Sequence, residues 1–169
     1  MTKMHELVAV AAPLSQAASR LDEFFRVHGS EGGDMARLTL RLALNVPGLG
    51  SPLSIERDVI ATIAPAHKPE DMTPRYRVQW APETPGPYPL FAGELRVGAA
   101  DDYDAFYLIL DGSYEPPLGI AGGAFDALAG KYIAQQTALD LLSNVKSFIE
   151  TAFARNEAGK AGASAPAQS

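Results

Sequence analysis

Residues 124–155 read AFDALAGKYIAQQTALDLLSNVKSFIETAFAR, a stretch without proline. Apolar side chains recur at Phe125, Leu128, Tyr132, Leu139, Leu142, Val145, Ile149 and Ala152, with Leu141, Phe148 and Phe153 beside them. Steps of three and four residues place them along one helical face. Gln135 is the polar break in that stripe. At 1.5 Å per residue, a helix over Ala124–Arg155 would be about 45 Å long, enough to lie across a whole small sheet.

Upstream of this helix, the sequence changes period. Leu118 to Gly123 holds three glycines and predicts an unusual connection, and Pro116-Pro117 ends the strand before it. Phe106, Leu108 and Leu110 alternate with Tyr107, Ile109 and Asp111, and both parities are apolar. Phe91, Gly93, Leu95 and Val97 make another strand, and Tyr76, Val78 and Trp80 alternate with Arg75, Arg77 and Gln79. Leu53 to Ala64 carries Ile55, Val59, Ala61 and Ile63 on one parity, while Leu38, Leu40, Leu42 and Leu44 form the first strand of the run. A period of two with one apolar set is the pattern of an antiparallel sheet with one covered face. Pro47-Gly48, the Pro-rich segment from Ala66 to Pro74, the prolines at 82, 85, 87 and 89, and Asp101, Asp102 and Asp104 mark the turns.

Nearer the start, Leu7 to Ala12 reads as a strand ended by Pro13. Ser15 then offers an N-cap to a short helix with Ala18, Leu21, Phe25 and His28 on one face, flanked by Ala17 and Phe24, and Gly29 closes it. The expected fold is therefore α+β: a curved antiparallel sheet of about six to seven strands wrapped around one long C-terminal helix, because only that helix offers an apolar stripe long enough to cover the sheet. Residues 1–155 are expected to form one domain. Residues 156–169, composed of Ala, Gly, Ser, Pro, Gln and few others, are expected to be a disordered tail.

Composition narrows the function. Hydrophobic residues make up 47% and charged residues 20% of 169, and the formal net charge is −6. A negative surface repels phosphate backbones, so nucleic acid is not an expected partner. With no cysteine, disulfides, thiolate nucleophiles and Cys-based zinc sites drop out. His5, His28 and His67 fall in different elements without metal-ligand spacing, so no metal is expected, and His28 is expected to pack or cap at its helix end. The loop Gly119-Ile-Ala-Gly-Gly123 lacks the residues of a phosphate loop, and no cofactor is expected. No apolar run reaches the roughly 18–20 residues of a membrane span. The N-terminus makes a poor secretory signal, so a cytoplasmic location is expected. The oligomeric state is not set by these features.

The segment Leu110-Asp-Gly-Ser-Tyr-Glu-Pro-Pro-Leu-Gly119, then Gly122, Asp126, Ile133-Ala134 and Leu141-Leu142, resembles the last strand, turn and helix of bacterial SRPBCC-domain proteins of the START/Bet v1-like helix-grip superfamily. Trp80-Ala-Pro82 and Tyr88-Pro-Leu-Phe-Ala-Gly93 are similar to the mid-sheet of that group. The resemblance covers roughly residues 5–155 and implies an internal cavity between sheet and helix. It also implies a hydrophobic small-molecule ligand, such as a lipid or polyketide. A minority of such proteins catalyse cyclisation or hydrolysis, so an aromatase/cyclase- or hydrolase-type enzyme is the alternative. No shared catalytic residue carries over. A further alternative is a structural or partner-binding domain whose core is filled.

The candidate ligand-binding residues follow from parity. Tyr76, Trp80, Phe91 and Phe106 share the core parity of their strands, and Tyr132 and Leu139 lie on the helix stripe. Aromatic faces there can stack on a ligand ring, with Tyr114, Tyr132 and Gln135 as polar anchors. Arg57 shares the parity of Ile55 and Val59; without a bulge it would face inward and recognise an acidic or carbonyl group, and with a bulge it would face solvent. Arg41, Arg75, Arg77 and Arg96 are expected on the outer face, paired with carboxylates.

Overall fold

The computed structural model describes residues 1–28, 36–46, 53–66, 73–84, 89–115 and 123–163, with the backbone alone for 36–46, 53–58, 123–129 and 161–163. Strand β1 (Thr2–Val10) is followed by a single 3-10 turn (Leu14–Gln16) and helix α1 (Ala17–His28). Strands β2 (Ala36–Val46), β3 (Leu53–Pro65), β4 (Arg75–Pro82), β5 (Leu90–Ala99) and β6 (Phe106–Glu115) come next, and helix α2 (Gly123–Ala163) is the last described element. The strands form one antiparallel sheet in the order β1-β6-β5-β4-β3-β2. Six strands lie at the lower end of the expected range.

The alternation in β4 is realised in full: Tyr76, Val78 and Trp80 are buried, whereas Arg75, Arg77 and Gln79 are exposed. The same inner face continues through Val59, Ala61 and Ile63 on β3, Phe91, Leu95 and Val97 on β5, and Phe106, Leu108 and Leu110 on β6. On β6 the outward Tyr107 and Ile109 are only half-buried, so its second apolar parity is not a second core face.

Where α2 lies decides the architecture. Its backbone approaches β1 and β6 at one margin of the sheet and β2 at the other, while the middle strands β3, β4 and β5 do not come as close. Six flat strands at about 4.8 Å spacing would put the outer two about 24 Å apart, twice the width of a helix at about 10–12 Å. One helix that meets both margins yet stands off from the middle requires a sheet bowed away from it. The space under that bow is where the largest inward side chains of β4 and β5 sit.

Several boundaries and registers differ from expectation. β1 begins at Thr2 rather than Leu7, because exposed Lys3 and His5 alternate with buried Met4 and half-buried Glu6 and Val8 along the ladder to β6. Ser15 does not cap α1: it lies inside the 3-10 turn, whose N-cap, Pro13, has no side-chain bond to give. The buried face of α1 is Ala17, Leu21 and Phe24, one position from the expected face, with Phe25 half-buried. On α2 the buried stripe is Ile133, Ala134, Thr137, Ala138, Leu141, Leu142, Val145 and Ile149. Tyr132, Gln135 and Leu139 flank that stripe and are half-buried. The small residues Ala134, Thr137 and Ala138 let the helix sit close to the sheet, and a pattern weighted toward large apolar side chains does not reveal them.

The helix also continues past Arg155 to Ala163, so residues 156–163 are helical rather than a disordered tail. Residues 154–160 are exposed, and Glu157 pairs with Lys160 one turn away at 2.7 Å. Ala, Glu and Lys are strong helix formers, which lets the helix run on without burial. Residues 164–169 lie outside the described residues.

Candidate functional site

The inner face beneath α2 is built on two glycines. Gly93 and Gly112 are directly opposite each other on β5 and β6. A Cβ at Gly93 would stand 2.3 Å from the Asp111 carbonyl oxygen and 2.5 Å from the Phe91 ring, and one at Gly112 would meet the same ring at 2.5 Å. The Phe91 ring therefore folds along its own strand and covers the glycine pair. Trp80, paired with Phe91 across the β4–β5 ladder, stacks on that ring with centroids 3.9 Å apart and planes 13° from parallel. Glycine floor, phenyl ring and indole ring make a layered aromatic platform.

The expected site residues divide sharply. Tyr76, Trp80, Phe91, Phe106 and Tyr114 all reach the inner face, with exposures of 1, 2, 3, 0 and 3%. At these positions the space under the sheet is packed with protein side chains, and a guest there must displace or turn one of them. Tyr114 sits opposite Phe91 on β6, so it borders the platform, and Phe106 lies at the far end of the same strand. Tyr76 binds α1 to the sheet. Its hydroxyl donates to Asp22 Oδ1 on α1 at 2.9 Å, and its ring packs on Phe25 at 4.4 Å. Burial, reinforced by the bond to and charge of Asp22, pushes the Tyr76 phenol well above its ordinary range, so it stays a neutral donor.

The helix residues are less central. Gln135 Nε2 donates to Glu6 Oε1 on β1 at 2.9 Å, which ties α2 to the sheet margin. Glu150 Oε1 accepts from the Ala11 amide at 2.8 Å and fixes the same margin one stretch further along. Tyr132 and Leu139 pack beside the buried stripe. Asp140, half-buried on α2, has its carboxyl pushed up by burial. For Arg57 the β2–β3 ladder runs in unbroken register from Val46 opposite Leu53 to Ala36 opposite Ile63. No bulge intervenes, so Arg57 keeps the strand parity of Val59; its side chain lies outside those described.

The described inward residues of β3 to β6 carry no charge. One polar atom among them stands out. Trp80 Nε1 is buried and has no hydrogen-bond partner among the described residues. Arg20 Nε on α1 is also without one, but that guanidinium is held through Nη1 by Glu23 at 2.8 Å.

The outer face holds a different cluster, one that the sequence pattern does not disclose. Asp111 Oδ1 meets His5 Nδ1 across the β1–β6 ladder, and Asp111 Oδ2 accepts from Arg96 Nε at 2.9 Å. Partial burial alone would raise the Asp111 carboxyl, but hydrogen bonds and charge from His5 and Arg96 outweigh it and hold the group below its ordinary value. Arg75 and Glu94 extend the array at 3.9 Å. The expectation of outward, paired arginines is met for Arg75 and Arg96; Arg41 lies among the residues without described side chains. His28 packs and caps as expected, stacked on Phe24 at 4.3 Å with Nδ1 donating to the Phe24 carbonyl at 2.9 Å. No group of acidic or histidine side chains that could hold a metal occurs among the described residues. No described helix is long and apolar enough to cross a membrane.

No family model and no curated protein matches the chain. Solved structures do. A conserved protein from Geobacillus kaustophilus is similar at 13% identity and a TM-score of 0.54, over 90% of this chain and 95% of that one. The ZhuI aromatase/cyclase from Streptomyces sp. R1128 is similar at 14% identity and a TM-score of 0.52, over 88% of this chain and 93% of that one. The di-domain aromatase/cyclase StfQ from the steffimycin biosynthetic pathway shares 14% identity at a TM-score of 0.52, over 94% of this chain and 52% of that one. With an antiparallel sheet bowed around a long C-terminal helix, and these structures alongside it, the chain has the helix-grip fold that its sequence resemblance implies.

Proposed function

We propose that residues 1–155 form a binding or carrier domain for a small, largely apolar molecule, held between α2 and the middle of the sheet. The observation that carries this reading is the standoff of β3, β4 and β5 from α2, with the uncharged aromatic platform of Trp80 and Phe91 beneath it. Apolar enclosure with few polar groups is the usual make-up of a small-molecule site. The helix-grip resemblance points the same way, since such domains take lipids, polyketides and similar ligands. In this reading Trp80, Phe91 and Tyr114 contact the ligand, Tyr76 and Phe106 shape the ends of the site, and Tyr132, Gln135 and Leu139 border it from α2. Arg57, on the parity of Val59, is the candidate for a charged ligand group. The setting is cytoplasmic.

Native mass spectrometry of the purified chain, with solvent extraction of the same sample, tests this. The reading predicts a co-purifying apolar compound, or uptake of one added in excess. Failure of the chain to retain any apolar compound in either arm would overturn it. A second reading, an enzyme of the aromatase/cyclase type, is favoured by what ZhuI and StfQ are described as. It predicts turnover of a linear poly-β-ketone probe, and a bound but unchanged probe rejects it.

A further inference from the structure

Trp80 is the single tryptophan of the chain, and its indole N–H is buried without a partner among the described residues. More than nine in ten buried polar groups in folded proteins are hydrogen-bonded, so an exception calls for a cause. The stack beneath the indole limits how far it can turn to find a partner. One face of the indole is fixed against Phe91 at 3.9 Å, and Phe91 in turn lies on Gly93 and Gly112 with no room to retreat. The donor is held in place by three layers. A residue at 2% exposure also has little access to bulk water.

We infer that Trp80 Nε1 is a polar recognition point of the site: it donates to a neutral acceptor oxygen, a carbonyl or ether, on a flat and otherwise apolar part of the ligand. The acceptor at the indole is neutral because the described inward residues of β4 to β6 around Trp80 carry no charge, so a carboxylate at that point would lose its hydration without a counter-ion; Arg57, on β3, bears on a different part of the ligand. Planarity follows from the stack of Trp80 on Phe91, two flat rings 13° from parallel, which favours offset stacking of a further flat group. The inference rests on the ligand-binding reading and adds to it the chemistry of the ligand.

The test compares fluorene with 9-fluorenone, two flat tricyclic molecules that differ by one carbonyl. Binding to the full chain is measured by calorimetry, and the lone indole signal is followed in protein labelled with 15N-tryptophan. The expected result is that fluorenone binds about fivefold to tenfold more tightly than fluorene, the worth of one hydrogen bond to a buried donor. The indole proton should move downfield with the ketone alone. In Trp80→Phe, which retains a flat ring but lacks the donor, fluorene and fluorenone should bind with equal affinity, whatever that affinity is. Equal affinities with an unmoved indole signal would overturn the donor assignment and leave the ligand-binding reading in place. The assignment also falls if the preference survives in Trp80→Phe. If neither probe binds, the inference of a flat ligand bearing an acceptor falls, while the ligand-binding reading is decided by the mass spectrometry and extraction.

Discussion

On the inner face of β5 and β6, Phe91, Gly93, Gly112 and Tyr114 form a floor from which charge is absent; one residue along the same strands, Arg96 and Asp111 form an ionic array with His5 on the outer face, beside the Arg75–Glu94 pair. Both sets are held by the same ladder. They differ in what their surroundings do to an imperfect contact. Under α2 a side chain that loses a contact finds no water at hand to replace it. Outside, water and salt replace whatever a side chain loses. A buried donor without a partner therefore carries information about a ligand, whereas a well-made exposed ion pair carries little.

The comparison can be broken most directly at Phe91. Phe91→Ala removes the middle layer of the platform and is expected to cost about 3–5 kcal/mol in urea unfolding. A loss of under 1 kcal/mol would mean that the layer is not packed as described. Gly112→Val comes next, at about 1–3 kcal/mol, because its Cβ meets both the Phe91 ring and the Ala92 carbonyl. In a double mutant with Phe91→Ala the cost of the valine should shrink, since one of its two obstacles is gone. Strict additivity would separate the glycine from the ring.

Tyr76→Phe sharpens the link between β4 and α1. It removes one hydrogen bond to Asp22, whose carboxylate stays hydrated, and is expected to cost about 0.5–1.5 kcal/mol. The smallest effect belongs outside. Asp111→Asn should change stability at neutral pH by about 0–1 kcal/mol. The Asp111 carboxyl titrates below its ordinary value of 3.8 in the folded chain. Its contribution is therefore present above the unfolded value and is lost as pH falls through the folded one. Acid titration of unfolding should show a slightly steeper loss below pH 3.8 for the parent chain than for Asp111→Asn. High salt should shrink that difference, and a difference that salt leaves untouched would mean the cluster is not solvent-screened.

Much of the fold is legible in the sequence because its signals are local. Arg75 to Trp80 states its two faces in six residues, and the structure buries and exposes them in that order. The place of α2 over the sheet follows from a proline-free apolar stripe, although its last turns, 156–163, run on past that stripe. What the sequence hides is non-local. His5 and Asp111 are 106 residues apart and meet only through the β1–β6 register. The Trp80–Phe91 stack depends on a β4–β5 pairing across a proline-rich segment, and the bare floor under it on two glycines from different strands. Helix spacing marks Gln135 as an inward anchor, yet its partner is Glu6 at the sheet margin, a contact that spacing alone does not reveal. The side-chain direction of Arg57 lies outside the described residues, though the unbroken β2–β3 register retains its inward parity.

The central claim is that a small apolar molecule lodges between α2 and the platform on β4 and β5. A crystal structure of the chain grown with a retained or added apolar ligand tests it most directly. The account predicts ligand density in contact with Trp80 and Phe91 beneath α2, with an acceptor oxygen within hydrogen-bond reach of the indole nitrogen. Ligand on the outer face beside His5 and Asp111, or a platform still closed under α2 at saturating ligand, would contradict it.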